Sequence, residues 1–64
     1  MIKLNKLKEF RIKNGLSQSE LAKEIGVTVR YIAFIEAGQR TPSLTIGIQI
    51  ARFFNVHVED IFFS

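Results

Sequence analysis

Cysteine is absent from this sequence, and histidine, methionine, tyrosine and proline occur once each. Without cysteine there is neither a disulfide framework nor a thiolate metal site, and a lone His57 forms no metal cluster. No cofactor or metal is expected, so the usual staples of a small domain are missing. The longest apolar run, Tyr31 to Ile35, is far too short to span a bilayer. The lysine-rich start has no apolar stretch behind it, so no secretory leader is expected and the cytoplasm is the default location. A glycine-rich phosphate loop and paired carboxylates in a plausible pocket are also lacking, which argues against an enzyme.

What is present is a chain of 64 residues, 47% of them apolar. That length makes a single domain across 1–64. So short a chain buries only ~60% of the surface it exposes when unfolded, which makes it marginal as a monomer. Stability must come from good helix packing, from association, or from both. The net charge of +3 favours an anionic partner, but modestly. Five of the nine basic residues (Lys3, Lys6, Lys8, Arg11 and Lys13) fall at the start of the chain and read mainly as the solvated face of a first helix.

The pattern predicts five helices and no strand, an all-α bundle. The first runs from about Lys3 to Lys13, with Leu4, Leu7 and Phe10 on one face, and Asn14-Gly15 ends it. Ser17 caps the second helix and Glu20 completes a capping box; the helix ends near Ile25. Thr28 caps a third, reaching about Ala37. Pro42 forbids helix across the loop that follows, and Ser43 caps a fourth helix to about Phe54. The fifth, Val58 to Phe62, carries Glu59 and Asp60 in its first turn, where the helix dipole favours acids.

The most informative segment is Gln18 to Ala37, QSELAKEIGVTVRYIAFIEA. It reads as two short helices joined by a tight turn with Gly26 at the corner. Ala22 faces the crossing, where a larger side chain would hold the helices apart. Leu21, Ile25, Ile32 and Ile35 form a joint core, with Val27 plugging the turn. That is the helix-turn-helix pattern, which sets a second helix into the DNA major groove.

Helical spacing also gives the outward face. Ile32 and Ile35 point inward with Thr28, leaving Arg30, Ala33, Phe34 and Ala37 on the opposite side and Val29 at its edge. A merely solvated face would hold Lys, Glu or Gln. This one suits base edges: arginine can form a bidentate contact with guanine, and the apolar residues can pack on thymine methyls. Thr28, Val29, Arg30, Ala33 and Phe34 are therefore the base-reading candidates. Phe34 has an alternative role, contact with a protein partner.

Through GLSQSELAKEIGV, YIAFIEAGQRTPSL and IARFFNVHVEDIF, residues 4 to 62 resemble the lambda-repressor-like Cro/Xre helix-turn-helix family, in its minimal single-domain form. The resemblance implies a five-helix fold, homodimeric binding to operator DNA and transcriptional regulation. It also implies phosphate contacts from the start of the second helix (Ser17, Gln18), from Arg40 in the loop after the third helix, and from Ser43. Tyr31 could donate its hydroxyl to a phosphate or pack partly into the core. The family pattern further pairs an arginine with a glutamate at Arg11 and Glu36, which lie on core-bearing sides of their helices and should bridge helices one and three as a structural pair.

From Leu44 to Phe63 only Arg52, Glu59 and Asp60 are charged. Leu44, Gly47, Ile50, Ala51 and Phe54 make a core arc, with Ile46 and Phe53 on one flank and Ile48 on the other. So wide an apolar arc points to a subunit interface, with Ile46, Phe53, Phe62 and Phe63 as candidates, unless helix five covers it within the monomer. His57, before helix five, reads as a cap or surface residue. The leading expectation is a sequence-specific regulator of double-stranded DNA, a homodimeric repressor on a palindromic operator. The alternative is a protein-interaction module, such as an antitoxin or a partner subunit of another regulator.

Overall fold

The computed structural model describes residues 5–62. They form five helices and no strand: α1 (Leu7–Lys13), α2 (Gln18–Ile25), α3 (Val29–Glu36), α4 (Leu44–Phe54) and α5 (Val58–Phe62). Every helix sends at least one fully buried side chain to a single core, made by Leu7, Leu21, Ile32, Ile35, Ile50 and Ile61. Phe10 of α1 meets Phe54 of α4 at a ring separation of 5.8 Å, closing one side of the bundle.

Side-chain caps start the central three helices. The hydroxyls of Ser17, Thr28 and Ser43 accept from the backbone N–H groups of Glu20, Tyr31 and Ile46 respectively, satisfying donors that the helix itself leaves unpaired. At Ser17 the box is complete, because the Glu20 carboxylate accepts from the Ser17 N–H at 2.8 Å. At α5 the returning bond comes from Asp60, whose carboxylate accepts from the His57 N–H at 2.9 Å; the His57 side chain is exposed.

Two expectations need correction. The first helix begins at Leu7, not near Lys3. Asn5 ends it on the N-terminal side: its Oδ1 accepts from Leu7 N–H and its Nδ2 donates to the Ile35 carbonyl at 2.8 Å. Lys6 N–H meanwhile donates to the Ile61 carbonyl. The chain is thus tied to α3 and α5 before α1 starts, and Leu4 lies outside the described residues. Leu44, placed in the core arc by helical spacing, is 74% exposed. It is the first residue of α4, and because Cα–Cβ bonds tilt toward a helix N-terminus its side chain overhangs the end of the helix.

Candidate nucleic-acid interface

The corner between α2 and α3 takes three residues. Gly26 adopts the left-handed conformation at φ 86°, and its N–H and that of Val27 both donate to the Ala22 carbonyl. A Cβ at Gly26 would meet nothing within 4 Å, so the demand for glycine is conformational. Ala22 is buried at the crossing and Val27 is packed against the core. This corner fixes which side of α3 turns outward.

On α3, Ile32, Ile35 and Glu36 are buried. Val29 is 44% exposed, Arg30 is exposed, and Ala33 and Phe34 are half-buried. The Arg30 guanidinium carbon stands 5.4 Å from the centre of the Phe34 ring, and no described carboxylate forms an ion pair with it. Thr28, placed inward with Ile32 and Ile35 by helical spacing, is instead exposed, because it precedes the helix with extended backbone and its hydroxyl is engaged as the cap. Ala37 is exposed at the C-cap.

The expected phosphate-contacting residues fall into two groups. Tyr31, Arg40 and Ser43 come together: Arg40 lies over the Tyr31 ring at 5.4 Å, and the Tyr31 hydroxyl accepts from Ser43 N–H at 3.4 Å. Thr28, Arg30, Tyr31, Phe34 and Arg40 line one open concavity beside α3. Ser17 and Gln18 sit apart from that concavity at the start of α2. There the backbone N–H groups of Gln18 and Ser19 carry no hydrogen bond to the described residues. Such a pair at a helix N-terminus suits a phosphate oxygen.

The Gln18 side chain does something its sequence context did not signal. Its Nε2 donates to Glu36 Oε1 at 3.0 Å. That carboxylate also takes two bonds from Arg11, Nε to Oε2 at 2.6 Å and Nη2 to Oε1 at 3.1 Å. Arg11 Nη1 completes the cluster by donating to the Leu16 carbonyl at 2.8 Å. Arg11 and Glu36 are both buried, and among the described residues no buried side-chain polar atom is left without a partner. The start of α2 is therefore tied to the end of α3 beneath the outward face.

The interface candidates do not share one surface. Ile46 is partly buried against the core. Phe53, 40% exposed, lines a concavity with Glu24, Ile25, Gln49 and Arg52. Phe62 lines another, with Pro42, Leu44, Gly47 and Val58. Phe63 lies outside the described residues. Leu44 and Ile48, both exposed, share the flank of α4 next to Phe62, and the sequence reading missed them as a pair. The signal was Leu44's position as the first helical residue.

Among the described residues no group of three or more His, Cys, Asp or Glu side chains could hold a metal. No described helix is long and apolar enough to cross a membrane.

A helix-turn-helix family model matches residues 7–61. Over 57 residues the chain is 47% identical to an HTH-type transcriptional regulator of Archaeoglobus fulgidus, covering 89% of this chain and 81% of that protein. It is 48% identical over 58 residues to one of Methanocaldococcus jannaschii, covering 91% and 88%. Among solved structures, the restriction-modification controller protein C.AhdI of Aeromonas hydrophila is similar with a TM-score of 0.78 at 33% identity, over 86% of this chain and 83% of that one.

Proposed function

The chain belongs to the Cro/C1-type helix-turn-helix family of transcriptional regulators, and from this premise we propose that it represses transcription by occupying a palindromic DNA operator as a homodimer. The observation that carries the reading is the outward face of α3, where Arg30 has no ion-pair partner among the described residues and stands amid Val29, Ala33 and Phe34. A free guanidinium fork matches guanine O6 and N7, and the apolar neighbours match thymine methyls. Thr28 opens that helix at the groove. Ser17, the free amides at Gln18 and Ser19, and the Tyr31–Arg40–Ser43 group fix the register by gripping phosphates.

The palindrome belongs to the proposed two-fold dimer, and the size of the domain is compatible with it. The domain is 30 Å in its longest dimension and has one α3. Two copies related by a two-fold axis would set their reading helices about 34 Å apart, one turn of DNA. Leu44 and Ile48, exposed on one flank of α4, with the half-buried Phe62 of α5 lining the concavity next to Leu44, are the apolar surface we assign to that contact.

Titration of duplex binding against salt tests the reading. Affinity should fall by roughly 0.9 log units per log unit of salt for each phosphate neutralised. Arg30→Ala should cost ~1–3 kcal/mol and relax preference at one base step. Salt-insensitive or absent duplex binding would overturn DNA recognition in favour of the protein-interaction reading.

A further inference from the structure

The outward face of α3 joins a hydrogen-bonding fork to an apolar wall, and the joint is more selective than either part. Arg30 and Phe34 lie one helical turn apart, with the guanidinium carbon 5.4 Å from the ring centre. An aromatic face attracts a guanidinium while leaving its N–H groups able to donate in their own plane. No hydrogen bond of Arg30's side chain to a described residue competes with that use. Phe34 is half-buried, so the platform is itself held. A side chain restrained in this way loses less freedom when it engages a base. Around the fork, Val29, Ala33 and Phe34 offer only apolar surface, and the two hydroxyls that share the concavity with the fork, those of Thr28 and Tyr31, already accept from the Tyr31 and Ser43 N–H groups.

In the major groove, guanine presents O6 and N7 to such a fork, and the neighbouring pyrimidine distinguishes itself at C5 and at its exocyclic group. Thymine offers a methyl. Cytosine offers a bare C5–H beside an amino donor, for which Val29, Ala33 and Phe34 have no acceptor. 5-Methylcytosine restores the methyl at the position thymine carries it. Resting on the DNA-binding reading above, we propose that Arg30 and Phe34 act as one unit that reads a methyl-pyrimidine–guanine step, either thymine–guanine or 5-methylcytosine–guanine. Cytosine methylation within such a step strengthens binding, so the modification state of the DNA regulates occupancy without any separate sensing site.

The test uses the full chain and duplexes chosen by selection from random sequence. The guanine read by Arg30 is the one whose preference Arg30→Ala relaxes. The pyrimidine on its 5′ side is then set to thymine, uracil, cytosine or 5-methylcytosine. Thymine should bind about fourfold tighter than uracil, and 5-methylcytosine about fourfold tighter than cytosine, the gain for burying one methyl-sized group. Phe34→Ala should shrink both ratios while keeping the guanine preference. The four duplexes decide the matter with the unaltered protein even where Phe34→Ala fails to fold. Equal affinity within both pairs, with guanine preference intact, overturns this proposal alone, as does a methyl effect that survives in folded Phe34→Ala. Absence of any sequence preference overturns the DNA-reading proposal with it.

Discussion

Glu36 is the residue on which most of the molecule's polar interior converges. Its carboxylate takes two bonds from Arg11 and one from Gln18, which links α1, the first turn of α2 and the end of α3 through one side chain. Removing one member of a buried ion pair leaves the other charge uncompensated, at a cost of about 3–5 kcal/mol. For a domain of this size, total stability is on the order of 3–10 kcal/mol. Glu36→Ala should therefore lower the urea midpoint severely or leave the chain largely unfolded. Replacing the pair together, Arg11→Met with Glu36→Leu, should be much closer to the parent than Glu36→Ala, because no charge is left stranded. Equal midpoints for Glu36→Ala and the parent would rule out a structural role. The two charged partners were legible because each falls on a helix side that also carries core residues and because the family resemblance pairs an arginine with a glutamate at those places. The bond from Gln18 was not: a glutamine in the first turn of α2 read as a phosphate contact, and only the packing of α2 on α3 brings Glu36 within its reach.

At the scale of the helices, local chemistry was readable wherever a short hydroxyl side chain precedes an apolar row. Ser17, Thr28 and Ser43 each accept from the third residue beyond them, which needs nothing from the rest of the chain. The start of α1 was unreadable because its terminators are carbonyls distant in sequence, Ile35 for the Asn5 side chain and Ile61 for Lys6 N–H. The α2 cap also carries a pH signature. The Glu20 carboxyl lies below its ordinary value near 4.5, chiefly through the Ser17 backbone N–H and then through the Ser17 hydroxyl. A carboxyl depressed by folding adds stability that is present above its ordinary value and is lost as pH falls through the depressed one. Thermal unfolding of the parent should thus lose its advantage over Glu20→Gln as the solution is acidified below pH 4.5. Near neutrality the parent should be the more stable of the two. A gap that stays constant with pH would show that the carboxylate does not cap α2.

For the molecule as a whole, the reading helix and the association surface were legible to different depths. Periodicity alone gave the outward side of α3, because the buried Ile32 and Ile35 leave little choice of what faces out. The apolar excess after Leu44 was equally plain, but its distribution depends on where α5 lies across α4. The structure puts Phe53 and Phe62 in separate concavities and leaves Leu44 overhanging the one with Phe62. Leu44 therefore makes the sharpest test of the proposed dimer. At 74% exposure it gives the monomer little, so Leu44→Gln should leave the unfolding midpoint of dilute protein almost unchanged. Buried in a partner, each leucine is worth roughly 1.5–3 kcal/mol, and a two-fold dimer loses two of them, so the same change should raise the dimer dissociation constant by roughly 10²- to 10⁴-fold. Sedimentation across a concentration series reads that shift directly. Duplex binding reads its consequence: affinity for a palindrome should fall steeply while affinity for an isolated half-site stays level, because the reading helix of each copy is untouched. Phe53→Ser, on the other flank of α4, is the control and should leave association unaltered. Should Phe53→Ser rather than Leu44→Gln break the dimer, the contact surface belongs to the flank beside α2, and the spacing of the two reading helices has to be worked out anew from that side.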